Sequence, residues 1–267
     1  MNYVQLSITD LVLAAILMLA SGALSWGFSL KLERTLLLNS LRMVVQLALI
    51  GFVLKWIFAQ TSPLWTIVLA FIMIAVAGAE IVLRQNRKLK GFYAYSLGTG
   101  TMMFIGVLVT IYAVKGIIAP NPWYQPRFIL PILGMVLGNT MTGVSLVIST
   151  FMDTAHRERT NIEARLAAGH PRFRALDKVL SVSLRTGLMP IINAMATTGL
   201  VSLPGMMTGQ ILAGADPVEA AKYQMMIMFV IAGATAMAVV IAGLGSMMLL
   251  TDRRHRLRLD RLQSPSE

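Results

Sequence analysis

Few side chains in this sequence could do chemistry, and most of them lie inside long apolar runs. The candidates are Arg42 with Gln46 one turn on, Glu80, Asn139, Gln210, and the methionine pairs Met102/Met103, Met206/Met207, Met225/Met226 and Met247/Met248. Thioethers suit soft cations such as Cu(I), whereas iron as a cation takes oxygen and imidazole. Adjacent methionines on a helix point to different faces, so a pair chelates only where the backbone is not helical. Flexible apolar filling accounts for the remaining methionines of the nineteen, which leaves Met206 and Met207 as the pair placed to touch a ligand. Arg42 and Glu80 form an ion pair or take a direct part in a pathway or gate, since ionisable groups in membrane spans are costly unless paired, used or close enough to the interface to snorkel. Asn139 brings an amide into an apolar run, where it needs a partner in packing, across a dimer seam or along a route.

A soluble active site finds little support. There is no G-x-x-x-x-G-K-[ST] loop, no H-E-x-x-H and no G-x-S-x-G elbow, and His156, His170 and His255 all fall outside the apolar runs. Cysteine is absent, which removes disulfides and thiolate metal sites and leaves the redox compartment open. No metal-ligand set can be named.

The elements that must position these groups follow from composition. The 267 residues are 56% hydrophobic and 13% charged, with a mean hydropathy of +0.70, well beyond what a soluble core needs. Uncharged runs long enough to cross a bilayer occupy 11–29, 43–54 with its flanks, 64–79, 91–114, 128–152, 186–215 and 223–251. The expected fold is therefore all-α, a single seven-span transmembrane domain over 1–267, with a polar segment at 153–184 and a basic tail at 252–267. The N-terminus lacks the basic region of a cleaved signal peptide, so the first span is expected to be retained.

Of 23 basic residues, eighteen fall in alternate loops and the tail, which puts those segments in the cytoplasm and the N-terminus outside. The opposite loops hold only Lys115, Arg127 and Lys222. The net charge of +11 is thus a matter of topology, with some attraction of the tail to membrane lipid, and does not call for nucleic acid.

Local signals sharpen three places. Asp10 is expected to cap the first span, and Asp216 with Pro217 and Glu219 to start the last one. Gly134 and Gly138, with Thr142 a turn on, form a G-x-x-x-G pattern that favours close helix packing. The sixth span carries Pro204, Gly205, Gly209 and Gly214. At thirty residues it spans about 45 Å as ideal helix against a hydrocarbon core of roughly 30 Å. A kinked span whose outer end forms a moving external gate is the expectation, against a packing kink without a gating role.

The segment 153–184 reads as helix, break, helix, interrupted at Gly169, His170 and Pro171. Its E-A-x-x-x-x-G pattern, with Glu163, Ala164, Leu166 and Gly169, resembles the coupling loop of ABC importer permeases, although the next proline, Pro190, falls further on than in that family. A charged amphipathic loop held at the lipid surface is the other reading. Together with "RMVVQL", "LGMVLGNTMTG", "IEARLAAG" and "LPGMMTGQILAG", nearly the whole chain resembles the bacterial iron-export ABC permeases related to plant aluminium-tolerance membrane subunits. That resemblance implies a homodimeric permease of a bacterial inner membrane that exports iron and supports resistance to oxidative stress. It also implies a separate P-loop ATPase subunit that binds Mg-ATP, no cofactor on this chain, and a nucleotide sugar as the alternative cargo. A gradient-driven carrier or channel is the competing class, against which stands the lack of an ionisable relay near the midplane.

Overall fold

The computed structural model describes residues 7–59, 63–85, 87–252 and 254–263. Seven helices are long and apolar enough to cross a membrane, and no strand occurs among the described residues. The protein is a multi-pass all-α membrane protein. Its helices are α1 (Ile8–Gly27), α2 (Glu33–Phe58), α3 (Pro63–Leu83), α4 (Tyr93–Ile111), α5 (Pro126–Arg157), α6 (Arg159–Ala167), α7 (Arg172–Ala175), α8 (Asp177–Thr197), α9 (Gly205–Leu212) and α10 (Pro217–Leu250). α4 runs on into a π-helical segment, Tyr112–Ile118, closed by Ala119 in the left-handed region at φ 47°.

The chain forms two compact units. The first comprises Met1–Thr61 with Leu212–Gly214, and the second Ser62–Ile211 with Ala215–Glu267. In the first, α1 and α2 make a hairpin around Ser25, which is 3% exposed. Its hydroxyl donates to Glu33 Oε2 at 3.2 Å and accepts from the Leu32 N–H at 3.1 Å, so the polar turn is closed internally. Most large apolar side chains of α1 and α2 are exposed, the state expected of helices whose surroundings are hydrocarbon. The N-cap of α1 is Ser7 rather than Asp10. Asp10 is the N3 residue of a capping box, its carboxylate accepting from the Ser7 N–H at 2.8 Å.

In the second unit α5 is the central helix, packed against α10, α8, α3 and α4. Val144, Val147, Phe151 and Met152 of α5 and Ala234, Ala238, Val239 and Met247 of α10 are wholly buried. Backbone meets backbone closely where α5 crosses α8. A methyl placed on Gly143 would stand 2.9 Å from the Gly187 carbonyl oxygen, and one on Gly187 2.9 Å from the Gly143 carbonyl oxygen. Only two glycines admit backbones this close.

Among the described residues of this chain, no neighbouring helix backbone supplies the close packing expected at Gly134 and Gly138. Gly138 faces open space, Gly134 would meet only the mobile tip of Met73 at 3.3 Å, and Thr142 donates its hydroxyl to its own helix, to Gly138 O at 3.4 Å. A spacing motif marks a helix face that can be approached; it does not say which neighbour arrives.

The sixth span also differs from expectation. It begins at Asp177 and ends at Thr197, so it is broken rather than kinked, and α9 is a separate helix. Asp177, Lys178 and Arg185 concealed its start, since they interrupt the apolar run at the end where charged side chains reach solvent easily. The last span starts at Pro217 as the capping signal indicates, with the Asp216 carboxylate accepting from the Val218 and Glu219 N–H groups at 2.9 and 3.1 Å.

Candidate functional site

Two groups of residues at opposite ends of the second unit carry the functional signals. At one end Arg87 pairs with Asp153 at 3.5 Å, the Lys90 N–H donates to Arg261 O at 2.7 Å, and the Arg172 N–H donates to His255 Nδ1 at 3.3 Å. These contacts gather the α3–α4 connection, the end of α5, α7 and the tail on one side, here the basic end. Chain direction puts Pro63, Ile118, Pro126 and Thr197 at the other.

At the basic end, α6 is short because the sequence stops it. The Gly169 N–H donates to Leu166 O at 3.0 Å and the His170 N–H to Arg165 O at 3.1 Å, with Gly169 at φ 85°. This is a Schellman ending, whose left-handed residue is best supplied by glycine. The final position of E-A-x-x-x-x-G thus has a physical role, to end the helix and free the chain for Pro171. Ile162, 2% exposed, anchors α6 from below, and Leu166 packs half-buried on the core. Glu163 and Ala164 remain exposed, with the Glu163 carboxylate 2.9 Å from Arg159 Nε one turn back. Arg165 reaches across to Asp177 at 3.0 Å and to Arg174 O at 3.3 Å, fixing α6 to the start of α8, while Ala175 and Leu176 are buried beneath. The arrangement is a rigid helix with a small, polar outer face.

The tail is part of this end, and sequence reasoning missed it. The Gln263 N–H donates to Lys88 O at 2.8 Å, Arg261 Nη1 donates to Leu249 O at 2.6 Å, and Leu262 is 7% exposed. The tail is therefore a packed brace rather than a loose basic arm. Asp252 organises its turn: its carboxylate accepts from the Arg254 and Arg256 N–H groups, both at 2.9 Å, and from Arg256 Nε at 2.7 Å. The Arg256 backbone bond foremost lowers the Asp252 carboxyl to about 2. The apolar residues alternating with arginine in "RLRLDRL" were the available signal.

At the far end, α8 stops where Thr198 turns to an extended conformation and Gly199 takes φ 96°. A tight loop follows, closed by Gly199 N–H to Ser202 O at 2.9 Å and Ser202 N–H to Thr197 O at 3.2 Å. Its tip holds Leu200, 96% exposed, and Val201, 81% exposed. Pro204 does not kink a helix; its carbonyl accepts the first bond of α9, from the Thr208 N–H at 3.0 Å. Gly205 and Gly209 have nothing within 4 Å of a would-be Cβ and no left-handed dihedral; the left-handed glycines of this region are Gly199 and Gly214, the latter at φ 90°.

The pathway candidates lie on several helices of the two units. Arg42 and Gln46 share a face of α2 in the first unit; Glu80 lies near the basic end of α3; Asn139 is exposed midway along α5. Asn139 Nδ2 donates to Met135 O at 2.9 Å, which leaves its amide oxygen unmatched among the described residues. Met206, Met207 and Gln210 are half-buried on α9, and Gln210 Oε1 is enclosed without a partner. Among the described residues no three His, Cys, Asp or Glu side chains stand together as a metal cage.

The family model described as an uncharacterised protein family, UPF0014, matches residues 8–250. The chain is 36% identical to the UPF0014 membrane protein slr1647 of Synechocystis sp. over 79% of its length and 81% of the relative's. It is 32% identical to Protein ALUMINUM SENSITIVE 3 of Arabidopsis thaliana over 84% and 80%, and 29% identical to the probable iron export permease protein FetB of Escherichia coli over 98% and 99%. No solved structure matches. A seven-span all-α membrane protein with a short, glycine-ended helix at its basic end and a broken span at the other, this chain belongs to the UPF0014 family.

Proposed function

We propose that the chain is the permease subunit of an ABC transporter, exporting iron across the membrane with energy from a separately encoded P-loop ATPase that binds Mg-ATP. The observation that carries this reading is α6. It is anchored through Ile162, ended by Gly169 and stitched to α8 through Arg165, yet its outer face at Glu163 and Ala164 is free for a partner. A lipid-surface helix needs an apolar outer face, and α6 has a polar one. Force applied there passes directly into α8 and on to the loop at Gly199.

The exposed stripe of α5 at Gly138 and Asn139 supplies the seam between two copies, as small residues permit close approach and an unmatched amide needs a partner in hydrocarbon. Cargo passes beside neutral oxygen groups such as Asn139 and Gln210. These suit iron better than thioethers do and bind it weakly enough to release it.

The test is to purify the tagged full-length chain in mild detergent and look for a stoichiometric P-loop ATPase in the eluate. Association that survives unchanged in Glu163→Ala and Gly169→Val, with both variants inserted and monodisperse, sinks the docking assignment. Stimulation of ATP hydrolysis by ferrous iron, against a nucleotide sugar as competitor, decides the cargo.

A further inference from the structure

A cavity of about 470 Å³ opens at the far end of the second unit, a volume within the range of small-molecule sites. Thr66 and Ala70 of α3, Thr110 and Val114 of α4 and its π-helical extension, and Trp123 and Tyr124 of the following connection line it, with Leu133 of α5. The hydroxyl oxygens of Thr66 and Thr110 are buried with no hydrogen-bond partner among the described residues, and the surface that the void meets is apolar. Its contents must be hydrocarbon, and any polar part of an occupant must stay at the mouth.

The mouth carries a cation. The π-helical segment turns Lys115 onto the Trp123 ring, Nζ 5.8 Å from the centroid, and no carboxylate pairs with Lys115 among the described residues. The far-end loops retain only three basic residues against the general depletion of Lys and Arg there. Lys222 is paired with Glu219 at 2.7 Å, whereas Lys115 stands between Val114 in the chain and the Trp123 ring in space, both of which line this cavity. Trp and Tyr at the rim place the opening at headgroup depth, where such rings concentrate.

We propose that this cavity is a binding site for one phospholipid of the surrounding leaflet, with an acyl chain in the void and an anionic headgroup on Lys115. An acyl chain gains little by leaving a bilayer as apolar as the cavity, so preference among lipids is set at the headgroup. The site is independent of the ATPase and cargo reading.

The test is native mass spectrometry of the full-length protein, loaded in detergent with dioleoyl phosphatidylglycerol or dioleoyl phosphatidylcholine. The wild type retains phosphatidylglycerol in preference by about fivefold, the contribution of one cation at an anionic surface. Lys115→Gln abolishes the preference while retaining lipid, and Ala70→Trp, which fills the void, reduces retention of both. An unchanged preference in Lys115→Gln overturns the headgroup contact, and wild-type retention in a folded Ala70→Trp overturns the cavity. Should Ala70→Trp not elute as a folded species, the exposed Lys115→Gln decides alone.

Discussion

The two ends of the second unit are built on opposite plans. At the basic end, α6, α7, the start of α8 and the tail are tied by side chain to backbone and side chain to side chain, over buried anchors at Ile162 and Leu176. At the far end the break after Thr197 is closed mainly by bonds within its own few residues, and its tip projects Leu200 and Val201 outward. Local bonds cost little to exchange, whereas a network that links several elements resists any single displacement. One end is suited to receive a push without deforming and the other to yield to it.

The comparison can be broken at its strongest point first. Ile162→Ala should cost about 2–5 kcal/mol of local stability by emptying the anchor of α6. Limited proteolysis should then cut between α5 and α8, and ATPase recovery should fall; resistance to cleavage would mean that the basic end does not depend on this anchor. Next come two glycines with the same left-handed backbone and different neighbours. Gly169→Val and Gly199→Val should each cost about 1–3 kcal/mol. The first should reduce ATPase association and leave the far end unaltered, and the second should slow transport with the complex intact. If both give the same phenotype, the ends are not mechanically distinct.

A smaller effect is expected at Gly205→Ala, which should be neutral or stabilise α9 by up to about 1 kcal/mol, since the position is helical and open. Loss of transport in a well-inserted Gly205→Ala would show that this residue leaves its helical state during the cycle. The smallest concerns acid. The depressed Asp252 carboxyl stabilises the tail turn above the ordinary carboxylate pKa of 3.8 and loses that effect as pH falls toward about 2. Amide exchange at Arg254 and Arg256 should therefore be insensitive to pH-dependent opening near neutrality and accelerate relative to neighbouring amides only below about pH 4.

Much of this architecture could be read from the residues alone, because bilayer crossing imposes length and apolarity on each span. The seven spans and the start at Asp216 and Pro217 depend on such local rules. The sixth span was misplaced because its basic-end turn carries Asp177, Lys178 and Arg185, and composition alone treats charge as the end of a span. The tail was read only as a basic segment attracted to lipid since its charge is local information, while the pairing of Leu262 with Leu89 is not. Among the site residues, the stop of α6 was legible at Gly169, His170 and Pro171, which interrupt the helical spacing. The left-handed turns at Gly199 and Gly214 were not, because the sequence shows where glycine occurs and only the backbone shows which one turns left-handed.

The crossing of α5 and α8 has a genetic consequence. At Gly143 and Gly187 each residue is limited by a main-chain carbonyl of the other, an atom common to all twenty amino acids. A lesion at either position therefore has no compensating exchange at its partner. In a selection for suppressors, rescue should map to the yielding side chains alongside, such as Val239 and Val147, and never to the pair itself.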